Sequence, residues 1–194
     1  MSQRQFHHGN LRAELIELAS RRIEETGIEG LSLRELAAAI GVSPGAPYRH
    51  FSSKEDLLHE LAEREIERLG EAYRKAQAAD LPPRERFKMA CRSYLEQALQ
   101  RPQSFRMVFM TDRYLNPTTS ADSIPSYALF VDLAVAASGH ADRRRGEILA
   151  LTSWAMLHGF AIIRMDSRMP STASRDDAIE AVLDRACRVE ECNP

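Results

Sequence analysis

From Leu11 to Val189 apolar side chains return at intervals of three and four, as in Leu11, Leu15, Leu18, Ala19 and Ile23. Runs that alternate β-branched or aromatic residues with polar ones are missing. A period near 3.6 collects such residues on one face of a helix, whereas a half-buried strand needs a period of two. The expected fold class is therefore all-α, with no strand.

Helix punctuation divides the chain further. Asn10 is a suitable N-cap for a first helix that stops near Gly27, and Ser32-Leu-Arg-Glu35 is a capping box that opens a second helix ending at Ile40. Gly41-Val42-Ser43 forms a turn, and a third short helix carries Pro47 and Phe51 at i and i+4 on its inner side. Ser53-Lys-Glu-Asp56 caps a long helix that runs to about Ala79, where Asp80-Leu-Pro-Pro83 ends it. Further helices are expected over 84–100, 102–114, 125–137, 142–166 and from Ser174 to about Val189, which makes nine in all. Asn116 to Ser123 is the most loop-like stretch.

The 194 residues are 44% hydrophobic, which suffices for one good-sized domain or two small ones. With 26 Lys and Arg against 28 Asp and Glu there is no global basic field, so nucleic-acid binding needs a local patch. Cys91, Cys187 and Cys192 cannot all pair within the chain, which suits a reducing cytoplasm. The opening MSQRQFHHGNLR has no apolar core of a signal peptide, and Asp132, His158 and Arg164 interrupt the longest apolar segments short of a membrane span. A cytoplasmic protein without a membrane segment is expected.

Ser32 to Phe51 has the proportions of a helix-turn-helix, with a second helix short enough to lie in a major groove. With its flanks included, LSLRELAAAIGVSPGAPYRHFSSKEDLL (residues 31–58) resembles the N-terminal domain of TetR-family transcription regulators almost position for position. FHHGNLRAELIELA (6–19) resembles the first-helix region of one subgroup, and Trp154-Ala-Met-Leu-His158-Gly159 a Trp-His-Gly signature in that subgroup's C-terminal domain. The middle of the chain resembles the family only in helix count and order. The resemblance implies a DNA-binding domain over 1–55 and an effector-binding and dimerisation domain over 56–194.

Residue types indicate how DNA would be read. Arg34, in the first turn of the second helix, suits a guanine O6/N7 edge, or else pairs with Glu35 or Glu29 in solvent. Tyr48 offers a ring for a thymine methyl and a hydroxyl for a phosphate, and Pro47 and Phe51 already fill the inner face. Arg49 suits a base, the backbone or solvent; His50 and Lys54 suit phosphates, Lys54 because a phosphate docked on its helix N-terminus would be attracted to both. Ser43, Pro44, Gly45 and Ala46 form a small leading edge; Ser43 as N-cap puts Pro44 at the first helical position, and Gly45 leaves room for a phosphate or base edge. Pro47 removes a backbone donor, which predicts a loose or 3₁₀-like first turn and a Pro47→Ala variant no less stable than the parent. Arg4 belongs to the arm before the first helix. Up to Glu60 there are seven basic residues (Arg4, Arg12, Arg21, Arg22, Arg34, Arg49, Lys54) against nine acids (Glu14, Glu17, Glu24, Glu25, Glu29, Glu35, Glu55, Asp56, Glu60), so the patch must come from placement.

The C-terminal two thirds are rich in aromatic and Met side chains, which serve either as core or as the lining of a mostly apolar pocket. The family resemblance implies such a pocket, for a small apolar effector not identified by the sequence, with Phe105, Phe109, Tyr114, Tyr127, Trp154 and His158 as candidate lining. His158 is either a polar group of that pocket or a satisfied core histidine, and Gly159 permits close helix approach or a ligand. The resemblance further implies a homodimer through the last two helices, with Ile148, Leu151, Ala155, Ile162, Ile179, Val182, Ala186 and Val189 shared between interface and core, and a repressor released from a palindromic operator by its effector.

Two other classes compete. An enzyme is disfavoured by the absence of a glycine-rich phosphate loop, an HExxH motif and a nucleophile elbow. No cofactor is implied, and Cys187 and Cys192 lack the partners a zinc site needs, although redox sensing through them stays open. A DNA-binding protein of TetR fold without an effector, architectural in role, is the second rival.

Overall fold

The computed structural model describes residues 11–110, 124–139, 142–166 and 175–188. Among them are eight α-helices and one 3₁₀ turn: α1 (Leu11–Thr26), α2 (Leu33–Ile40), the 3₁₀ turn (Pro47–Arg49), α3 (Lys54–Ala78), α4 (Pro83–Gln100), α5 (Pro102–Met110), α6 (Pro125–Ser138), α7 (Arg143–Met165) and α8 (Arg175–Ala186). The all-α expectation holds among the described residues. The expected loop at Asn116, the extension of α5 to Tyr114, the cap at Ser174 and the end of the last helix at Val189 lie outside them.

The chain divides into two compact units, the first containing the described residues up to Glu65 and those from Gln103 to Met110, the second the remainder. In the first unit α1 turns Leu15, Ile16, Ala19 and Ile23 inward, and these meet Leu33, Leu36 and Ala37 of α2. Gly27, at a φ of 73°, ends α1 with its N–H on the Ile23 carbonyl, 2.8 Å away. Pro47, Phe51, Leu57 and Leu61 complete this core. The guanidinium of Arg12 lies 5.4 Å from the Phe51 ring centre and pairs with Glu60 at 2.8 Å. Glu24 of α1 accepts the N–H groups of Gln103 and Ser104 at 3.2 and 2.8 Å. It thereby caps α5, whose first residue, Pro102, has no N–H to cap.

In the second unit α4, α6, α7 and α8 pack on one another. Phe130 of α6 is the centre of an aromatic cluster, with Tyr73 at 5.3 Å and Phe87 at 5.1 Å between ring centres. Gly139 closes α6 at a φ of 65°, and Asp142 caps α7 by accepting the Arg144 N–H at 3.0 Å. α6 and α7 come very close at Gly146, where an added Cβ would stand 2.4 Å from the Val135 Cα. No such approach exists at Gly159, around which an added Cβ meets nothing within 4 Å among the described residues.

By length and composition α7 is apolar enough to cross a membrane, with a mean hydropathy of 1.5 over 18 residues, which corrects the expectation that His158 and Arg164 would leave it short. Its apolar residues divide between two faces. Ala150, Leu157 and Ala161 are buried in the helical unit, while Ile148, Leu151, Met156 and Ile163 are exposed.

Candidate functional site

The helix-turn-helix is built from its caps. Ser32, extended at the N-cap, accepts the Glu35 N–H at 3.5 Å, so α2 starts where its capping box places it. Gly41 ends α2 in the left-handed region (φ 85°), and the N–H groups of Gly41 and Val42 both bond the Ala37 carbonyl, at 2.9 and 3.0 Å.

The third element differs from the expected short helix. Ala46 bonds back to Ser43, Arg49 to Ala46 and His50 to Pro47, all at i+3. Only the Phe51 N–H reaches the Pro47 carbonyl four residues back. The tight winding therefore continues through Arg49 and is not confined to a first turn, and Pro44 belongs to a turn instead of opening an α-helix. Pro47 and Phe51 are buried, and Tyr48 (49% exposed), Arg49 and His50 stand in solvent beside the exposed Ser43, Pro44 and Gly45. Ala46 is half-buried, and a Cβ added at Gly45 would meet nothing within 4 Å.

Arg34 is exposed on the first turn of α2 and makes no ion pair among the described residues, with Glu35 and Glu29 included. Arg12 and Arg22 are engaged by Glu60 and Glu25, whereas Arg21, Arg34, Arg49 and Lys54 make no ion pair among the described residues. Lys54 is half-buried as the first residue of α3. Ser53 caps that helix by accepting the Asp56 N–H at 3.2 Å, and Asp56 accepts the Ser52 N–H at 2.8 Å, one residue earlier than a standard capping box. The α3 amides and the Ser53 hydroxyl hold the Glu55 carboxyl below its ordinary range. Two carboxylates thus share this helix start with Lys54.

A second group of functional residues meets inside the second unit. Tyr94 of α4 is buried, and its hydroxyl lies 2.9 Å from His158 Nδ1 and accepts the Trp154 indole N–H at 3.1 Å. Burial lowers the His158 pKa from its ordinary value, keeping the ring neutral at pH 7, and burial raises that of Tyr94. Tyr127 of α6 meets Trp154 edge-on at 5.6 Å, and the Trp154 and His158 rings are 6.1 Å apart. The structure therefore brings Tyr127, Trp154 and His158 together. Phe105 and Phe109 meet at a tilt with ring centres 5.1 Å apart in the first unit, and Tyr114 lies outside the described residues.

Sequence reasoning missed Tyr94. A signal existed: it shares a helical stripe with Phe87, Ala90, Cys91 and Ala98, and a phenol on such a stripe needs a polar partner.

Residues 15–61 match the family described as bacterial regulatory proteins, tetR family, and residues 87–186 match the tetracyclin repressor-like C-terminal domain. The transcriptional activator FasR of Mycolicibacterium smegmatis is 27% identical over 57% of this chain and 50% of its own length. The transcriptional repressor KstR2 of Mycobacterium tuberculosis is 35% identical over 39% of this chain and 38% of its own. The chain thus matches half or less of the length of these curated relatives. Among solved structures, a protein of unknown function from Rhodococcus sp. RHA1 superposes with a TM-score of 0.75 at 28% identity, covering 95% of this chain and 97% of that one. AibR in complex with isovaleryl coenzyme A and operator DNA shares the fold, with a TM-score of 0.62 at 20% identity over 91% and 97% of the two chains.

An exposed helix-turn-helix on a small helical frame, followed by an all-helical second unit, is the architecture to which both family matches correspond. The chain belongs to the tetR family of bacterial regulatory proteins. Among the described residues no three His, Cys, Asp or Glu side chains are grouped to hold a metal ion.

Proposed function

We propose that the protein is a homodimeric repressor that binds a palindromic operator and releases it when a small, mostly apolar molecule enters the second unit. The observation that carries this reading is the Tyr94–Trp154–His158 cluster, a set of hydrogen-bonded polar groups inside the helical second unit. Ligand pockets combine an apolar lining with a few such groups. Tyr127 is the remaining candidate for that lining within the second unit; Phe105 and Phe109 belong to the first, and Tyr114 lies outside the described residues. Support for an effector also comes from AibR, a protein of the same fold whose complex holds both an acyl coenzyme A and operator DNA. The Trp154, His158 and Gly159 signature assigns the chain to the Trp-His-Gly subgroup in this reading.

DNA contact is assigned to Arg34, Ser43, Pro44, Gly45, Ala46, Tyr48, Arg49, His50 and Lys54. Tyr48, Arg34 and Arg49 read bases; His50 and Lys54 hold phosphates. The small leading edge confines discrimination there to methyl contacts and shape. Dimerisation is assigned to the exposed apolar face of α7, with Ile148, Leu151 and Ala155, together with α8; it would place two recognition turns on two half-sites. Effector binding acts through α3, a continuous helix of 25 residues shared by both units, by favouring one of two operator affinities. Repression agrees with KstR2, and FasR, an activator, represents the opposite sign.

The test is selection of bound sequences from random duplex DNA, followed by titration of the recovered site with small molecules. A palindrome whose affinity falls on ligand addition is the expected outcome. A palindrome bound equally under every ligand would replace this reading with that of an effector-free protein, in which Tyr94, Trp154 and His158 satisfy only one another.

A further inference from the structure

The sequence sets Cys187 beside Cys192, which lies outside the described residues, but the fold gives Cys187 another neighbour. Cys91 is fully buried on α4, and Cys187 is half-buried in the turn that ends α8, its N–H bonded to the Leu183 carbonyl at 3.0 Å. Cys91 stands between Lys88 and Arg92 on α4, and the partners of these two residues, Asp184 and Glu180, lie on α8 just before Cys187, so the end of α8 that carries Cys187 packs against the stretch of α4 that carries Cys91. Around them, Lys88 Nζ pairs with Asp184 at 2.5 Å, Arg92 with Glu180 at 2.7 Å, and the Ser153 hydroxyl donates to the Ala186 carbonyl at 2.5 Å. The end of α8 is thus fastened to both α4 and α7 in the reduced protein.

We infer that Cys91 and Cys187 form a two-thiol oxidation site, in which a hydroperoxide oxidises Cys187 and Cys91 then closes a disulfide between α4 and the end of α8. The roles follow from exposure, since only Cys187 has solvent access. They agree with the surroundings of each sulfur. The Cys91 thiol and the Lys88 charge hold the Cys187 thiol below its ordinary range, against desolvation and the acids Asp184 and Glu85. Burial holds Cys91 well above it. The thiolate is the nucleophile, so Cys187 reacts first.

In the first step the Cys187 thiolate attacks the outer peroxide oxygen. The O–O bond breaks, an S–O bond forms, and the alkoxide or hydroxide leaves and takes up a proton. In the second step the Cys91 sulfur attacks the Cys187 sulfenic acid; the S–O bond breaks, the S–S bond forms, and water departs with the Cys91 proton. Two thiols and one hydroperoxide give one disulfide, one alcohol (or water) and one water. The inference is independent of operator and effector.

The test treats the full chain with hydrogen peroxide and maps its peptides without reduction by mass spectrometry. The expected product joins the Cys91 and Cys187 peptides with loss of two hydrogens, is restored by dithiothreitol, and forms equally in Cys192→Ser. In Cys91→Ser the Cys187 sulfenic acid should persist and be trapped by dimedone. A Cys187–Cys192 link, a link between chains, or over-oxidised Cys187 beside reduced Cys91 would overturn the inference. These outcomes are read on the unmutated protein, so they do not depend on the folding of a core variant.

Discussion

Tyr48 and Phe51 are three residues apart and face opposite ways, so their substitution separates binding from stability. Tyr48→Ala removes a half-exposed ring and should lower operator affinity about tenfold, within the ~1–3 kcal/mol of a base-reading contact, with little change in melting temperature. Anisotropy titration and a thermal melt check the two halves. Phe51→Ala should instead cost about 3–5 kcal/mol in urea unfolding, since it empties a fully buried ring position. This inward and outward division was legible in the sequence through the i, i+4 spacing of Pro47 and Phe51. Pro47→Ala, expected from the sequence to be no less stable than the parent, should instead lose about 1–2 kcal/mol, because the proline ring is buried, at ~0.8 kcal/mol per buried CH₂. His158 gives the pH test. Its folded pKa lies below the unfolded value, so the unfolded chain binds more protons and stability should fall as pH drops below about 6.5. A His158→Gln variant, measured by urea midpoints at pH 7.5 and 5.5, should lose part of that pH difference.

At the scale of elements, two glycines on α7 behave oppositely. Gly146→Ala would press a methyl onto the Val135 backbone, where no side chain can yield, and should destabilise by at least about 1–3 kcal/mol. Gly159→Ala has room within the protomer and should gain up to about 1 kcal/mol from helix propensity. Chemical denaturation of both variants checks the contrast. Close helix approach therefore occurs at Gly146, although the sequence suggested Gly159. Periodicity exposes neither site, because the distance depends on what the facing helix presents. Caps were more legible: Ser32, Ser53 and Gly27 act where local chemistry places them. The placement of α5 was hidden. Its cap, Glu24, lies 79 residues from Gln103, beyond the reach of any local signal.

On the scale of the whole molecule, the helix-turn-helix was the most readable part because its geometry is local, and the Tyr94 cluster was half-readable because it joins distant helices. The exposed stripe of α7, with Ile148 and Leu151 more than half exposed at 53% and 54%, explains why this helix passes a membrane test while its other face forms a core. If a second copy covers the stripe, as proposed, association adds to the stability of each folded copy. The melting temperature should then rise with protein concentration. Scanning calorimetry across a hundredfold dilution series checks this, and Leu151→Glu should abolish the concentration dependence while leaving a folded monomer. The stripe thus links stability to abundance: below a threshold number of copies the regulator would lose its paired turns and its thermal reserve together.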